Sequence, residues 1–404
     1  MKFSWLITML LCAIMLAAKA EPVVPKSDSL VLETLPARPF RSPLVSPKMP
    51  LASASDKSGA ASTRRDPAAA AKIARQHLAI ARDRGDQRFA GYALAALRPW
   101  QGDLSAPAPI VVLLATLAQY QHNFDAARQM LHSLVERDGA QPQAWLTLAT
   151  IERVQGRYAD SDRACRKLAT MALRLYTDAC LAENAALRGE LGAARQQLQA
   201  LLAANPGSAA IAAPEQADTR RWLLTTSAEL EERAGRVSIA DFRYREALKA
   251  GRDSYLVLGY ADFLLDHGRA HEALMLLDQE PQPHGDGVLL RKAIAQRSLG
   301  MPEAADSARE MGDRFAAALE RSDPISVHGR ELSRFALTIE GQPKKALAIA
   351  RDNLKIQKEP ADLLLMAKAA QAAGDGAALR EVQALARSMG LYDVRLAKVL
   401  GHSL

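Results

Sequence analysis

The sequence predicts an all-α solenoid of about nine helical pairs, and three observations carry that expectation. First, a glycine recurs where one helix should end and the chain should turn: Gly85, Gly156, Gly189, Gly235, Gly268, Gly300, Gly341 and Gly374, with His122 in the same place in the second unit. The spacings are 37, 34, 33, 46, 33, 32, 41 and 33 residues, a base period of 33–34 with three insertions, which is the mark of a repeat array. Glycine suits such a place because helices often end in a left-handed residue that a side chain makes costly. Second, small residues stand in two columns. Five positions after the turn come Ala90, Ala127, Ser161, Ala194, Ala240, Ala273, Ala305 and Ala346, then Leu379. Seven positions before it come Leu78, Ala115, Ala149, Ala182, Ala228, Ala261, Ala293, Arg334 and Ala367. Small side chains at facing positions let two antiparallel helices approach closely. Third, 78 of the 404 residues are Ala and only 5% are aromatic, a balance that favours helix and excludes collagen, a disulfide-dense miniprotein and wholesale disorder.

The elements follow in order. Residues 1–20 read as a signal peptide: Lys2 supplies the positive start, Trp5–Ala17 the apolar stretch, and Ala18-Lys19-Ala20 the cleavage site, so the mature chain should begin at Glu21. Cys12 lies inside the apolar stretch behind Leu11, which argues against a lipid anchor. No later apolar stretch reaches the length of a membrane span, so none is expected once the signal is cleaved. Residues 21–65 read as a Pro-rich disordered linker, with seven prolines in 21–50 and a Ser/Ala/Gly/Lys-rich run after them. Residues 66–404 are the solenoid. Of the net charge of +7, the signal carries +2 and the linker +3, so the repeats are nearly neutral and show no basic stripe for nucleic acid.

Within the repeats, Asp66 should cap a first helix that opens on Pro67, and Pro67–Arg84 with Gln87–Trp100 should form the N-terminal pair. Gly207–Asp218 should lengthen a loop, Pro302–Arg321 should be one long helix, and Leu391–Leu400 a terminal capping helix. The unit Pro142–Arg174 places Trp145, Leu148, Ala149, Gly156, Tyr158, Ser161 and Leu168 in signature positions, and the next unit closes on Asn205-Pro206. On these residues the chain resembles the tetratricopeptide repeat superfamily over about residues 71–390, as an exported bacterial-type member. The resemblance implies a right-handed superhelix whose first helices line a concave face. Arg334, where a small residue belongs, departs from the pattern.

No nucleotide-binding, nucleophile-elbow or metalloprotease motif occurs, and no cofactor, metal or catalytic residue is expected. His267 and His271 straddle a turn and do not share a helix face, and His328 with Glu331 lacks a visible partner. Cys165 and Cys180 fall on neighbouring helices of consecutive units. They are either a disulfide, which export would permit, or two separate buried thiols.

Carrying the superfamily's groove positions over by register gives the acids Glu183, Glu229, Glu232 and Asp262, with Tyr176, Trp222 and Tyr255 beside them. Such a strip suits a basic or polar peptide, or else is interhelix packing with a solvated acidic face. The function expected is a non-catalytic protein–protein interaction scaffold, periplasmic or secreted, holding a protein or peptide segment in the groove, within an envelope assembly or secretion system. The alternatives are a module for an exported polysaccharide or cell-wall glycan, and an enzyme whose site converges from separate repeats.

Overall fold

The computed structural model describes residues 66–84, 87–205, 214–282, 284–320 and 329–401. The signal, the linker, Gly85, His328 and the stretch 206–213 lie outside the described residues. Those described belong to a unit that begins at Gly59.

Among the described residues there are nine helical pairs and a final helix, and no strand. The pairs are α1 (Pro67–Arg84) with α2 (Gln87–Leu97), α3 (Ala108–Tyr120) with α4 (Phe124–Arg137), and α5 (Pro142–Val154) with α6 (Tyr158–Ala169). Next come α7 (Arg174–Leu187) with α8 (Leu191–Ala204), α9 (Pro214–Arg233) with α10 (Val237–Ala250), and α11 (Ser254–Asp266) with α12 (Ala270–Leu277). The last are α13 (Asp286–Ser298) with α14 (Ala304–Glu320), α15 (Gly329–Thr338) with α16 (Pro343–Asn353), and α17 (Pro360–Ala373) with α18 (Gly376–Met389), followed by α19 (Val394–Leu400).

The turn residues explain the pairing. Gly156, Gly189, Gly235, Gly268, Gly300, Gly341 and Gly374 all have φ between 65° and 85°, and His122 takes the same left-handed turn at φ 58°. Asp66 caps α1 by accepting the amides of Ala68 at 2.9 Å and Ala69 at 3.3 Å. The small columns are buried where helices face each other: Ala115, Ala149, Ala182, Ala228, Ala261 and Ala293 on first helices, Ala127, Ser161, Ala194, Ala240 and Ala273 on second helices.

Four expectations need correcting. The insertion Gly207–Asp218 is not all loop, because α9 begins at Pro214, whose missing amide and fixed φ suit the first turn of a helix. In the eighth pair Ser333, not Arg334, is the buried small residue, and its hydroxyl donates to the Ala346 carbonyl at 2.9 Å. The register slips because the chain runs one residue longer through the turn, so that Gln342 N–H bonds back to Ala336. Ala305 is exposed and Ala378 replaces Leu379 in the core, for the second helices of those pairs sit rotated from the common register. Finally, Leu391–Asp393 is not helical, and α19 does not continue the stack outward.

Instead the C-terminal end packs back on the third, fourth and fifth pairs. The Lys358 amide donates to the Val154 carbonyl at 2.7 Å, and the Tyr392 amide to the Leu187 carbonyl at 2.8 Å. Met389 sits against the Gly156 turn, Tyr392 against Gly189 and Val394 against Gly235. Tyr158 and Leu187 share one apolar cluster with Ala346, Leu363, Met366 and Leu396. Helix α17 is buried almost all round: Asp362 to Ala367, Ala369 and Ala370 are all covered. A helix without a solvated face belongs in the middle of a fold, and this one lies inside the array.

Candidate functional site

The first helices α5, α7, α9 and α11 bring together most of the acids and aromatics marked by register. On each of α7, α9 and α11 an aromatic residue precedes an acid by two turns: Tyr176 and Glu183, Trp222 and Glu229, Tyr255 and Asp262. Tyr176 and Trp222 stack with centroids 6.1 Å apart and planes 24° from parallel, and Trp222 also packs on the apolar core. Tyr255 is 64% exposed, and its hydroxyl donates to Glu229 at 2.6 Å.

The acids are not an open strip, and here the expectation is corrected. Glu183 takes Arg153 from α5 at 3.0 Å. Glu232 accepts the Tyr244 hydroxyl at 2.7 Å and pairs with Arg395 of α19. Asp262 pairs with Arg291 at 2.7 Å and with Arg334. Burial alone would raise the Asp262 carboxyl, but the two guanidinium groups hold it below the usual carboxylate range. Lys368 of α17 reaches Asp266 of α11 at 2.9 Å. Much of the acidic face therefore receives cations from the chain's own later repeats. The physical reason is proximity: Arg291 and Arg334 reach Asp262 from α13 and α15, and Lys368 and Arg395 reach Asp266 and Glu232 from α17 and α19.

Glu229 differs from the others. Among the described residues no guanidinium bonds to it; it accepts the Tyr255 hydroxyl at 2.6 Å. Burial pushes its carboxyl up to about 7, with Glu183 and Glu232 adding to the rise while Arg233 and the Tyr255 hydroxyl oppose it. Around it, within electrostatic reach, lie Arg233 on the same helix, Glu183 of α7 and, through Tyr255, Glu359 at the start of α17. Arg153 and Arg233 also act on the Tyr158 hydroxyl, which burial pushes well above its ordinary value. Glu359 is itself held below the usual range: burial opposes this, but the Arg330 guanidinium bonded to it prevails.

A polar constellation thus converges from the third, fourth, fifth, sixth and ninth pairs. Sequence reasoning found Glu183, Glu229 and Tyr255 but missed Arg153, Tyr158, Arg233, Glu359 and Arg395. The one signal in the sequence was the apolar run Leu363–Ala370, interrupted only by Lys368, since a helix apolar on nearly every side had to lie at the centre of the array. Cys165 and Cys180 are joined as a disulfide, with Cα atoms 5.9 Å apart, tying α6 to α7 beside this interior. Asn184 donates to the Ser161 hydroxyl at 2.8 Å and to Asp162 at 2.9 Å across the same helix pair. His267 is a local end residue of α11, its Nδ1 at 2.7 Å from the Phe263 carbonyl. Among the described residues no group of three His, Cys, Asp or Glu side chains could hold a metal ion, and no helix is long and apolar enough to cross a membrane.

No protein-family model matches the chain. No curated protein matches it either. Solved structures similar to it include the APC/C hetero-tetramer Cut9–Hcn1, at 14% identity and a TM-score of 0.38, covering 69% of this chain and 52% of that one. A tetratricopeptide repeat protein from Parabacteroides merdae is similar at 11% identity and a TM-score of 0.37, covering 75% of this chain and 99% of that one. The human IFIT1 dimer with PPP-AAAA is similar at 15% identity and a TM-score of 0.42, covering 75% of this chain and 69% of that one. The chain thus spans about half the length of the Cut9–Hcn1 chain it matches. Likenesses this distant bring neither activity nor partner with them, and the fold rests on the helices themselves. Nine helical pairs among the described residues, seven of them turned by a left-handed glycine and one by a left-handed histidine, make this chain an all-α solenoid.

Proposed function

We propose that the protein is a non-catalytic protein-interaction scaffold that holds a partner segment along the aromatic row Tyr176, Trp222 and Tyr255. The observation that supports this reading is that Tyr176 on α7 and Tyr255 on α11 stay 37% and 64% exposed on either side of the half-buried Trp222 of α9, while most of the acids below them are engaged within the chain. Exposed aromatic rings on rigid helices give large contact area at small entropic cost, and truncating such an anchor commonly weakens binding by roughly 2 kcal/mol or more. The signal-like residues 1–20 place the scaffold outside the cytoplasm in this reading, within an envelope assembly or secretion system. The test is capture from an envelope fraction with the natural chain and with Trp222→Ala, with circular dichroism of both. Loss of one defined partner by a folded variant supports the reading. Equal capture by both proteins sinks it. Amino-terminal sequencing of the exported protein should find Glu21 first.

One observation favours a second reading, the glycan-binding module. The stacked Tyr176 and Trp222 rings, followed by Tyr255, form a row on which a sugar chain could lie. Binding of soluble envelope polysaccharide that Trp222→Ala abolishes, with no protein captured, would select it.

A further inference from the structure

The interior beside Tyr255 contains polar atoms that the chain itself leaves unmatched. Arg233 is 6% exposed, and its Nε and Nη2 are sealed from solvent with no hydrogen-bond partner. No ion pair is formed with it by any carboxylate of the described residues. The Tyr158 hydroxyl, in a residue 3% exposed, has no partner. Glu183 gives Oε1 to Arg153 at 3.0 Å, while its Oε2 is sealed and unmatched. A buried guanidinium with two nitrogens left without hydrogen-bond partners is a costly arrangement in a folded protein. Here it stands beside a hydroxyl and an acceptor oxygen in the same condition.

We propose that the interior bounded by α5, α7, α9 and α11 binds a free α-amino acid, its carboxylate at the Nη1 of Arg233 and its ammonium at Glu229. Charge selects this class. A simple anion at Arg233 would face Glu183, Glu229 and Glu359, and a simple cation would leave Arg233 unmatched. A zwitterion satisfies both ends. Spacing selects a compact one. Glu229 and Arg233 are one turn apart on α9, so their Cβ atoms are about 5–6 Å apart, within the span of a single amino acid. The carboxylate meets the guanidinium at Nη1, the nitrogen not sealed. The Tyr255 ring, exposed beside Glu229, forms a wall for the ligand's side chain.

Binding also carries a proton signature. Glu229 is faced by Arg233 and Glu232 from its own helix, Glu183 from α7, Tyr244 from α10 and Tyr255 from α11, with Arg395 beyond Glu232. Among these its carboxyl ionises only near pH 7. An ammonium set against it favours the ionised form, so the ligand displaces a proton and affinity rises as the pH goes from about 6 to about 8.

The test is isothermal titration of the mature chain with each free L-amino acid. Every hit is repeated with its decarboxylated amine, its deaminated acid and the dipeptide of that residue. One or a few amino acids should bind with proton release, and loss of either charged group should weaken binding at least about tenfold. Arg233→Gln should lose about 10–100-fold. Glu229→Gln should abolish the proton release in a folded protein, which keeps the test open if Arg233→Gln fails to fold. Three results would overturn the proposal. They are no binding by any amino acid, equal binding of the amine or acid analogue, and a dipeptide that binds as tightly as the amino acid. Partner capture by the Trp222 row plays no part in the readout, so the two readings stand or fall separately.

Discussion

Two sets of turns in this protein share one backbone conformation and differ in what lies over them. Gly268, Gly300, Gly341 and Gly374 have φ of 65–70°, and a methyl group built on any of them would meet nothing within 4 Å. Gly156, Gly189 and Gly235 have φ of 72–85°, and a methyl there would lie 2.7 Å from Met389, 3.1 Å from Tyr392 and 3.3 Å from Val394. In the first set glycine answers a local demand for a left-handed residue. In the second it answers that demand and also leaves room for the C-terminal segment that closes over the middle repeats. The same sequence signal therefore has one cause at the open turns and two at the closed ones.

The largest expected effect tests that difference directly. Gly189→Ala should cost about 2–5 kcal/mol, combining a left-handed alanine with overpacking against Tyr392, whereas Gly268→Ala should cost only about 1–2 kcal/mol. Equal losses in denaturant titrations would mean that the closure adds nothing at these turns. Next comes the disulfide, which ties the two pairs beneath the closed turns across a separation of 15 residues. Its reduction should remove about 3 kcal/mol on a loop-entropy account. Limited proteolysis should then cut around Gly156 and Gly189 before Gly300 and Gly341; the opposite order would place the weak point elsewhere.

Arg395→Ala should cost roughly 1–3 kcal/mol, because it leaves Glu232 and Asp393 in the interior without their cation. It should also shrink the excess cost of Gly189→Ala over Gly268→Ala in a double-mutant comparison, since both changes loosen one contact. The smallest effect is on pH dependence. The folded Glu229 carboxyl is raised to about 7 from an ordinary 4.5, so the folded state binds the proton more tightly than the unfolded one does. Stability from this group is present below pH 4.5 and falls as pH rises to about 7, by the order of 1 kcal/mol once partial exposure is allowed for. Glu229→Gln should flatten that part of the curve, and a slope unchanged in the variant would assign it to other groups.

What could be read from sequence divides along the same line as the turns. Helix pairs, their turn residues and the small residues between them depend on neighbours within about one repeat, and a period of 33–34 displays them. His122 was legible as a turn residue because the period demanded one there. The closure was not legible, because Arg395 and Glu232 are 163 residues apart and Met389, Tyr392 and Val394 have the look of an ordinary terminal helix. The candidate site was half legible for the same reason. Register collected Glu183, Glu229 and Tyr255 on first helices. Arg233, Tyr158 and Glu359 join them only through the path of the folded chain. Arg334 looked like a defect in the small column, yet one extra residue in the following turn puts Ser333 there and frees Arg334 to reach Asp262.

The closure also bears on the order in which the protein can be completed. A plain repeat array matures unit by unit, each pair settling on the one made before it. Here Gly156, Gly189 and Gly235 receive their covering side chains from residues 389–394, which are made long after them. Until then the middle of the array presents Leu187 and Tyr158 uncovered. Contacts so distant along the chain form slowly. A nascent chain that has not yet reached residues 389–394 would therefore expose its centre rather than merely fray at one end, and the arrival of that segment is what conceals it.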